Sequence, residues 1–182
     1  MHAGSAQTVL AAAKRWPPGN YGMLLQAIKR VFKMPVVLVE GPDEAGVAAE
    51  ILKHAPKDKV DVRVIKLEGP LGDAAALLSY AKAYVGSDSG LAHLAAAVGT
   101  PPVTLFAPAD PNRVSPYGYR GLVVQVQKMC SPCFMYPWEA TKPKMRCTPP
   151  YCIEEIGVDA VMHKLQLAMA SRTEPKTNTP RH

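Results

Sequence analysis

The sequence predicts an α/β domain built on a parallel sheet, and three observations carry that prediction. Short apolar runs alternate with helical stretches of about ten residues from Val36 onward, the rhythm of βαβ units with right-handed crossovers. The runs are continuous rather than alternating, Val36 to Val39 above all, as expected of strands covered on both faces. Small polar clusters, Gly4-Ser5, Gly41 to Glu44 and Asp88 to His93, each follow an expected strand, and open parallel sheets bind ligands beyond the carboxyl ends of their strands.

Met1 to Ser5 reads as the last residues of a strand and the glycine turn after it, with the body of the strand missing. Lys14-Arg-Trp-Pro-Pro18 enters a helix from about Asn20 to Lys33, proline being favoured in a first turn. Tyr21, Leu24, Leu25, Ile28 and Phe32 share one face of it, and Lys29, Arg30 and Lys33 lie where the helix dipole favours cations. Strand Val36 to Val39, a turn over Glu40 to Glu44 and a helix from Ala45 to His54 follow. Next come strand Val62 to Leu67, helix Asp73 to Lys82 and strand Tyr84 to Gly86.

The chain is organised around Tyr84 to Phe106. A buried strand runs into Asp88-Ser89-Gly90, an alanine-rich helix extends from about Leu91 to Val98, Gly99 to Pro102 stops it, and a strand begins at Val103. Asp88 and Ser89 are both N-cap residue types, and Gly90 lets the backbone approach a ligand closely. The first N–H groups of a helix lack internal partners and carry partial positive charge, so this end suits a phosphate. His93, one turn in, faces the same mouth. An ordinary capped turn fits the same residues. Leu122 to Val126 is the last strand; a proline- and cysteine-rich loop spans 129–152, and a helix runs from about Ile153 to Ser171. Residues 1–171 thus form one domain, and 172–182 are expected to be a disordered tail.

The chain has 182 residues, is 48% hydrophobic and has a formal net charge of +6. That is ample for a core, and the charge favours phosphates and anionic surfaces. The absence of a long apolar run argues against a transmembrane helix, and the first four residues do not begin a signal peptide, so a soluble, cytoplasmic chain is expected. Only 7% of residues are aromatic, and no basic–aromatic interleaving or recognition-helix pattern occurs, which argues against nucleic acid.

Six pieces occur in one order: His2-Ala-Gly-Ser5, Lys14-Arg-Trp-Pro17, Gly41-Pro-Asp-Glu44, Val85-Gly-Ser-Asp-Ser-Gly-Leu-Ala-His93, Leu105-Phe-Ala-Pro-Ala-Asp-Pro111 and Cys130-Ser-Pro-Cys133. Together they resemble the carboxy-terminal half of glycosyltransferase family 9, the heptosyltransferases of lipopolysaccharide core assembly. Ala107 stands where the family usually has glycine, a departure that would stiffen that loop. The resemblance implies a Rossmann-like sheet, the C-terminal domain of a two-domain GT-B enzyme, with the other domain absent and the cut near the interdomain linker. It implies a nucleotide-sugar donor, ADP-L-glycero-D-manno-heptose, an acceptor of heptosylated or Kdo–lipid A type, and an inverting transfer needing no metal or other cofactor. The catalytic base would belong to the missing half, so no catalytic residue is assigned to this chain.

Residue by residue, the resemblance implies that Lys14 reaches the diphosphate and stabilises the leaving nucleotide, and that Glu44 meets the ribose hydroxyls. Asp88 would touch the sugar hydroxyls, Ser89 and Gly90 would offer donors to the phosphates, and His93 would hydrogen-bond a phosphate. Plainer roles compete: a solvated lysine before a helix, a first-turn glutamate suited to the helix dipole, a core histidine. Cys130, Cys133, Cys147 and Cys152 have the C-x2-C…C-x4-C spacing that permits a structural tetrahedral zinc, although the transfer chemistry itself needs no metal. Three functions stay open: the donor half of a glycosyltransferase in peripheral contact with the anionic inner leaflet, a non-catalytic nucleotide-binding module, and a zinc-ribbon nucleic-acid binder.

Overall fold

The structure, a computed structural model, describes residues 1–4, 13–55, 61–128, 131–132 and 151–171. Five parallel strands form the sheet: β1 (Val36–Glu40), β2 (Val62–Lys66), β3 (Tyr84–Ser87), β4 (Pro102–Phe106) and β5 (Val123–Gln125). β1 pairs with β2 from Val36↔Val62 to Glu40↔Lys66, and β4 lies between β3 and β5. His2 joins the two groups, bridging in parallel to Val39 on one side and Gly86 on the other. Counting His2 as a one-residue strand, the spatial order is β2, β1, His2, β3, β4, β5, the doubly wound order with its reversal between His2 and β3.

Met1 and His2 are hydrogen-bonded to the strands on either side of them. The Met1 amino group donates to Val37 O at 2.5 Å, Val39 N to Met1 O at 2.9 Å, and His2 N to Val85 O at 3.0 Å. An apolar cavity of about 390 Å³ lies beside β1 and β3, lined by Val36, Val37, Tyr84, Val85, Phe32 and Met169 among others. Burial lowers the Met1 amino group to a pKa of about 5.

Helices α1 (Pro18–Phe32), α2 (Val47–Lys53), α3 (Leu71–Tyr80) and α4 (Gly90–Ala97) connect the strands, and α1 begins with proline as expected. α1 packs against α2 and against α7 (Val158–Ser171), while α3 and α4 pack together, so both faces of the sheet are covered. Tyr21, Leu24, Leu25 and Ile28 of α1 are buried with Val103, Leu105, Val161 and Leu165 in the main core. A smaller cluster holds Leu78, Tyr84, Ala92 and Ala95. Every residue of β3 and β4 is buried, whereas β2, an edge strand, exposes Arg63, Val64 and Lys66.

Several boundaries differ from those expected. α2 starts at Val47 rather than Ala45, because Pro42–Glu44 forms a 3-10 turn first; the buried Glu40 carboxylate then accepts from Ala48 N at 2.6 Å. α3 begins two residues earlier, at Leu71. The last helix is broken: α6 (Tyr151–Glu154) and α7 are separated by Glu155-Ile-Gly157, α5 being the short turn Pro111–Val114. Gly157 is a poor helix former, and the break leaves the Ile156 carbonyl free to accept from the buried Trp16 indole at 2.9 Å. The Cys/Pro-rich loop, apart from residues 131–132 and 151–152, and the tail 172–182 lie outside the described residues.

Candidate functional site

The carboxyl ends of the strands on both sides of the reversal converge on one mouth. From β3, Ser87 leads into Asp88 and Ser89, and α4 starts at Gly90. Ser89 is the N-cap residue in extended conformation, but its side chain makes no capping hydrogen bond, so the first N–H groups of α4 have no side-chain cap. A methyl group added to Gly90 would meet nothing within 4 Å, so the space before the helix is open.

Lys14 arrives from the other side. The Trp16 ring is fully buried, held by Ile156 O and by an edge-on contact with Tyr21 at 4.9 Å between centroids. That anchor fixes the chain two residues downstream of Lys14, whose Nζ donates to Asp88 Oδ2 at 2.6 Å. Asp88 is only 8% exposed, whereas the Lys14 side chain keeps 20% of its surface. The His93 imidazole Nε2 stands 4.0 Å from Asp88 Oδ1 with about half its side chain in solvent. Three of the expected residues thus form one charged cluster at the mouth, with Ser89 and Gly90 beside it.

Glu44 belongs to a second, deeper cluster. Its Oε2 accepts from His2 Nε2 at 2.7 Å and from Gly41 N at 2.8 Å. Burial alone would raise the Glu44 carboxyl, but the hydrogen bonds from His2 and Gly41 and the charges of His2 and Arg15 outweigh it and hold the group below its ordinary range. The carboxylate lies over Gly4: a Cβ there would come within 2 Å of it. The bond from Gly41 N is the cap of the 3-10 turn itself, and the bond from His2 is an addition to that local role. Glu44 is a buried, ionised acceptor beside the mouth.

Tyr84 and His2 had no expected role at the site. The Tyr84 hydroxyl lies 3.3 Å from His2 Nδ1 and 3.5 Å from Ser89 Oγ. Burial, and the neighbouring Tyr21, Glu44 and Asp88, raise the Tyr84 phenol above its ordinary value, so it stays protonated. The tyrosine folds back over Gly86, where a Cβ would meet its hydroxyl and His2 O at 2.5 Å. A glycine two residues after a tyrosine in a buried strand is the sequence signal that points to this packing.

Of the four cysteines, only Cys152 lies among the described residues, buried in α6; Cys130, Cys133 and Cys147 fall outside them, as does Ser5. Among the described residues no group of three or more His, Cys, Asp or Glu side chains is arranged to hold a metal ion. No helix among them is long and apolar enough to cross a membrane.

The chain is similar to known proteins in sequence and in fold. Lipopolysaccharide heptosyltransferase 2 of Escherichia coli (strain K12) is 33% identical over 116 residues, covering 63% of this chain and 33% of that protein. Lipopolysaccharide heptosyltransferase 3 of Escherichia coli is 31% identical over 118 residues, 60% of this chain and 34% of that one. Among solved structures, E. coli ADP-heptose lps heptosyltransferase II superposes with a TM-score of 0.73 at 23% identity, over 95% of this chain and 46% of that chain. The glycosyl transferase family 9 protein from Veillonella parvula DSM 2008 gives 0.73 at 18% identity, over 93% and 45%. At these identities the superpositions establish the fold, an α/β Rossmann-like parallel sheet. The chain spans about a third of the length of the curated relatives it matches. Residues 3–143 match the family as a whole, and the chain belongs to glycosyltransferase family 9 (heptosyltransferase).

Proposed function

We propose that this chain is the carboxy-terminal, donor-binding half of an inverting glycosyltransferase, and that its donor is an ADP-heptose-like nucleotide sugar. The observation that carries the reading is the Lys14–Asp88–His93 cluster before the uncapped start of α4, at the reversal of a doubly wound sheet. A diphosphate lying against α4 meets N–H groups of Ser89 and Gly90 and the positive end of the helix. Lys14, now bound to Asp88, swings its ammonium onto the diphosphate and stabilises the charge that develops on the leaving nucleotide. Asp88, released from the lysine, accepts from sugar hydroxyls, and His93 reaches a phosphate from the exposed side. Glu44 presents its second carboxylate oxygen, Oε1, to the ribose hydroxyls.

Transfer to a Kdo- or heptose-bearing lipid A acceptor, and the carboxylate that deprotonates it, belong to the other half of the enzyme. We place that reaction at the cytoplasmic face of the inner membrane, the +6 charge favouring its anionic leaflet. Sedimentation with liposomes that shows no preference for anionic lipid removes that placement.

Isothermal titration with ADP, GDP and UDP, repeated on Lys14→Ala and Asp88→Ala, tests the donor site. Micromolar binding of ADP, absent for UDP and lost in both variants, is expected. A second reading, a nucleotide-binding module without catalysis, is favoured by the make-up of the mouth, where Asp88 is engaged by Lys14 rather than free to take a proton. It predicts the same binding and no transfer when a chain carrying an acceptor half is added.

A further inference from the structure

Glu44 and Ser89, which the proposed function places at the nucleoside and phosphate ends of one ligand, are joined by a continuous path of polar groups. It runs Glu44 Oε2, His2 Nε2, His2 Nδ1, Tyr84 hydroxyl, Ser89 Oγ, with separations of 2.7, 3.3 and 3.5 Å between residues. Two glycines make room for it: Gly4 beneath the Glu44 carboxylate and Gly86 beneath the Tyr84 hydroxyl. His2 is 4% exposed and Tyr84 2%, so neither exchanges these partners for bulk water.

The directions of these bonds are constrained. Glu44, held ionised, only accepts, so His2 Nε2 carries a proton whatever the charge of the ring. Tyr84 keeps its single hydroxyl proton. With His2 neutral, Nδ1 is a lone pair and accepts from Tyr84 O–H. The Tyr84 oxygen then accepts from Ser89 O–H, and Ser89 turns only lone pairs towards the mouth. With His2 protonated, Nδ1–H donates to the Tyr84 oxygen, Tyr84 O–H donates to Ser89 Oγ, and the Ser89 proton is released towards the mouth. A phosphate oxygen at the start of α4 meets the helix N–H groups in both arrangements, but only in the second does it gain the Ser89 hydroxyl as a further donor while the Tyr84–Ser89 bond is kept.

We propose that His2 and Tyr84 are positioning residues forming a two-state hydrogen-bond relay, in which binding of a nucleoside diphosphate at Ser89 is linked to uptake of a proton by His2. The proposal rests on the reading of the mouth as a nucleotide site. The charged and titratable groups facing the relay among the described residues are Glu44 on the 3-10 turn, Tyr84 on β3, and Tyr21 on α1, whose hydroxyl donates to His2 O at 3.4 Å. Arg15 acts on Glu44, and Asp88 on Tyr84.

Titration of the whole chain with ADP in buffers of different ionisation enthalpy counts the protons exchanged. The wild type should take up more protons per ADP than Tyr84→Phe or Ser89→Ala, each of which cuts the relay at one hydroxyl. Protonation of ADP itself is common to all three and cancels in the difference. Circular dichroism checks that each variant is folded, and Ser89, half-buried, serves if Tyr84→Phe is not. Nitrogen-15 shifts of the His2 imidazole give a readout that a merely structural role would not move: Nδ1 should change from unprotonated to protonated as ADP is added. ADP binding with equal proton counts in all three proteins, and an unchanged Nδ1, overturns the relay and leaves the nucleotide site standing. Absence of ADP binding in the folded wild type overturns the nucleotide reading, and the relay's linkage with it.

Discussion

Removing either partner of the Lys14–Asp88 pair should not cost the same, and the difference follows from side-chain length and exposure. At 2.6 Å the two charges attract by about 6 kcal/mol at an effective dielectric constant of 20, most of which offsets their desolvation. In Lys14→Met the short Asp88 side chain stays where it is, 8% exposed, with the His93 imidazole 4.0 Å away. Leaving a fully buried charge unpaired costs about 3–5 kcal/mol. Partial solvent access and His93 reduce that here to roughly 2–3 kcal/mol. In Asp88→Asn the lysine, already 20% exposed, straightens into water, and the loss is about 1 kcal/mol or less. The double variant Lys14→Met/Asp88→Asn should resemble Asp88→Asn alone, giving a coupling energy of about 2–3 kcal/mol. Urea denaturation of the four proteins reads these values directly. In thermal melts Lys14→Met should lose roughly 4–12 °C, at about 2–4 °C per kcal/mol for a chain of this size. Equal losses in the two single variants, or additive losses in the double, would refute a buried aspartate held by a partly exposed lysine.

Three further outcomes are expected. Gly4→Ala places a methyl group within 2 Å of the Glu44 carboxylate and expels it from His2 and Gly41, which should cost about 2–3 kcal/mol and weaken ADP binding; an unchanged melting temperature would contradict the packing. Because the folded Glu44 carboxyl titrates below its ordinary value of 4.5, its stabilisation is complete above about pH 4.5 and is lost as pH falls through the lower folded value. Denaturation of Glu44→Gln across an acid pH series should therefore show a shallower fall than the wild type, and parallel curves would exclude the assignment. A strong chelator should leave ADP affinity within about twofold, since the cluster at the mouth is built from ammonium, carboxylate and imidazole groups rather than thiolates. Loss of binding in step with zinc release would show instead that the cysteine loop holds the site.

Residue periodicity made the alternating architecture legible, and cap chemistry located the mouth at Asp88-Ser89-Gly90. The pairing of Lys14 with Asp88 was not legible, because the two residues are brought together by an anchor far away in sequence, the Trp16 indole on the Ile156 carbonyl. The same bond explains why the last helix was expected to be continuous. Apolar spacing carries on across Glu155-Ile-Gly157, and Gly157 together with the tertiary acceptor needed by Trp16 selects the broken form. His2 was visible only as a strand end before a glycine turn. Its function depends on both ring nitrogens finding partners from separate segments, Glu44 and Tyr84, which no local pattern encodes.

The position of His2 also explains why the site has two parts with different chemistry. Glu44 follows β1 on one wing of the sheet, and Asp88 follows β3 on the other, and the strand position between them touches both wings. A side chain at its carboxyl end reaches the loop after β1 and the strand β3 at once. A large apolar residue there would separate the wings, and a carboxylate would repel Glu44. Imidazole satisfies both neighbours, donating to a carboxylate from one nitrogen and meeting a phenol with the other. The doubly wound order therefore does more than open a crevice at the reversal. It puts one residue where the groups proposed for the nucleoside and for the phosphates are held by a single ring.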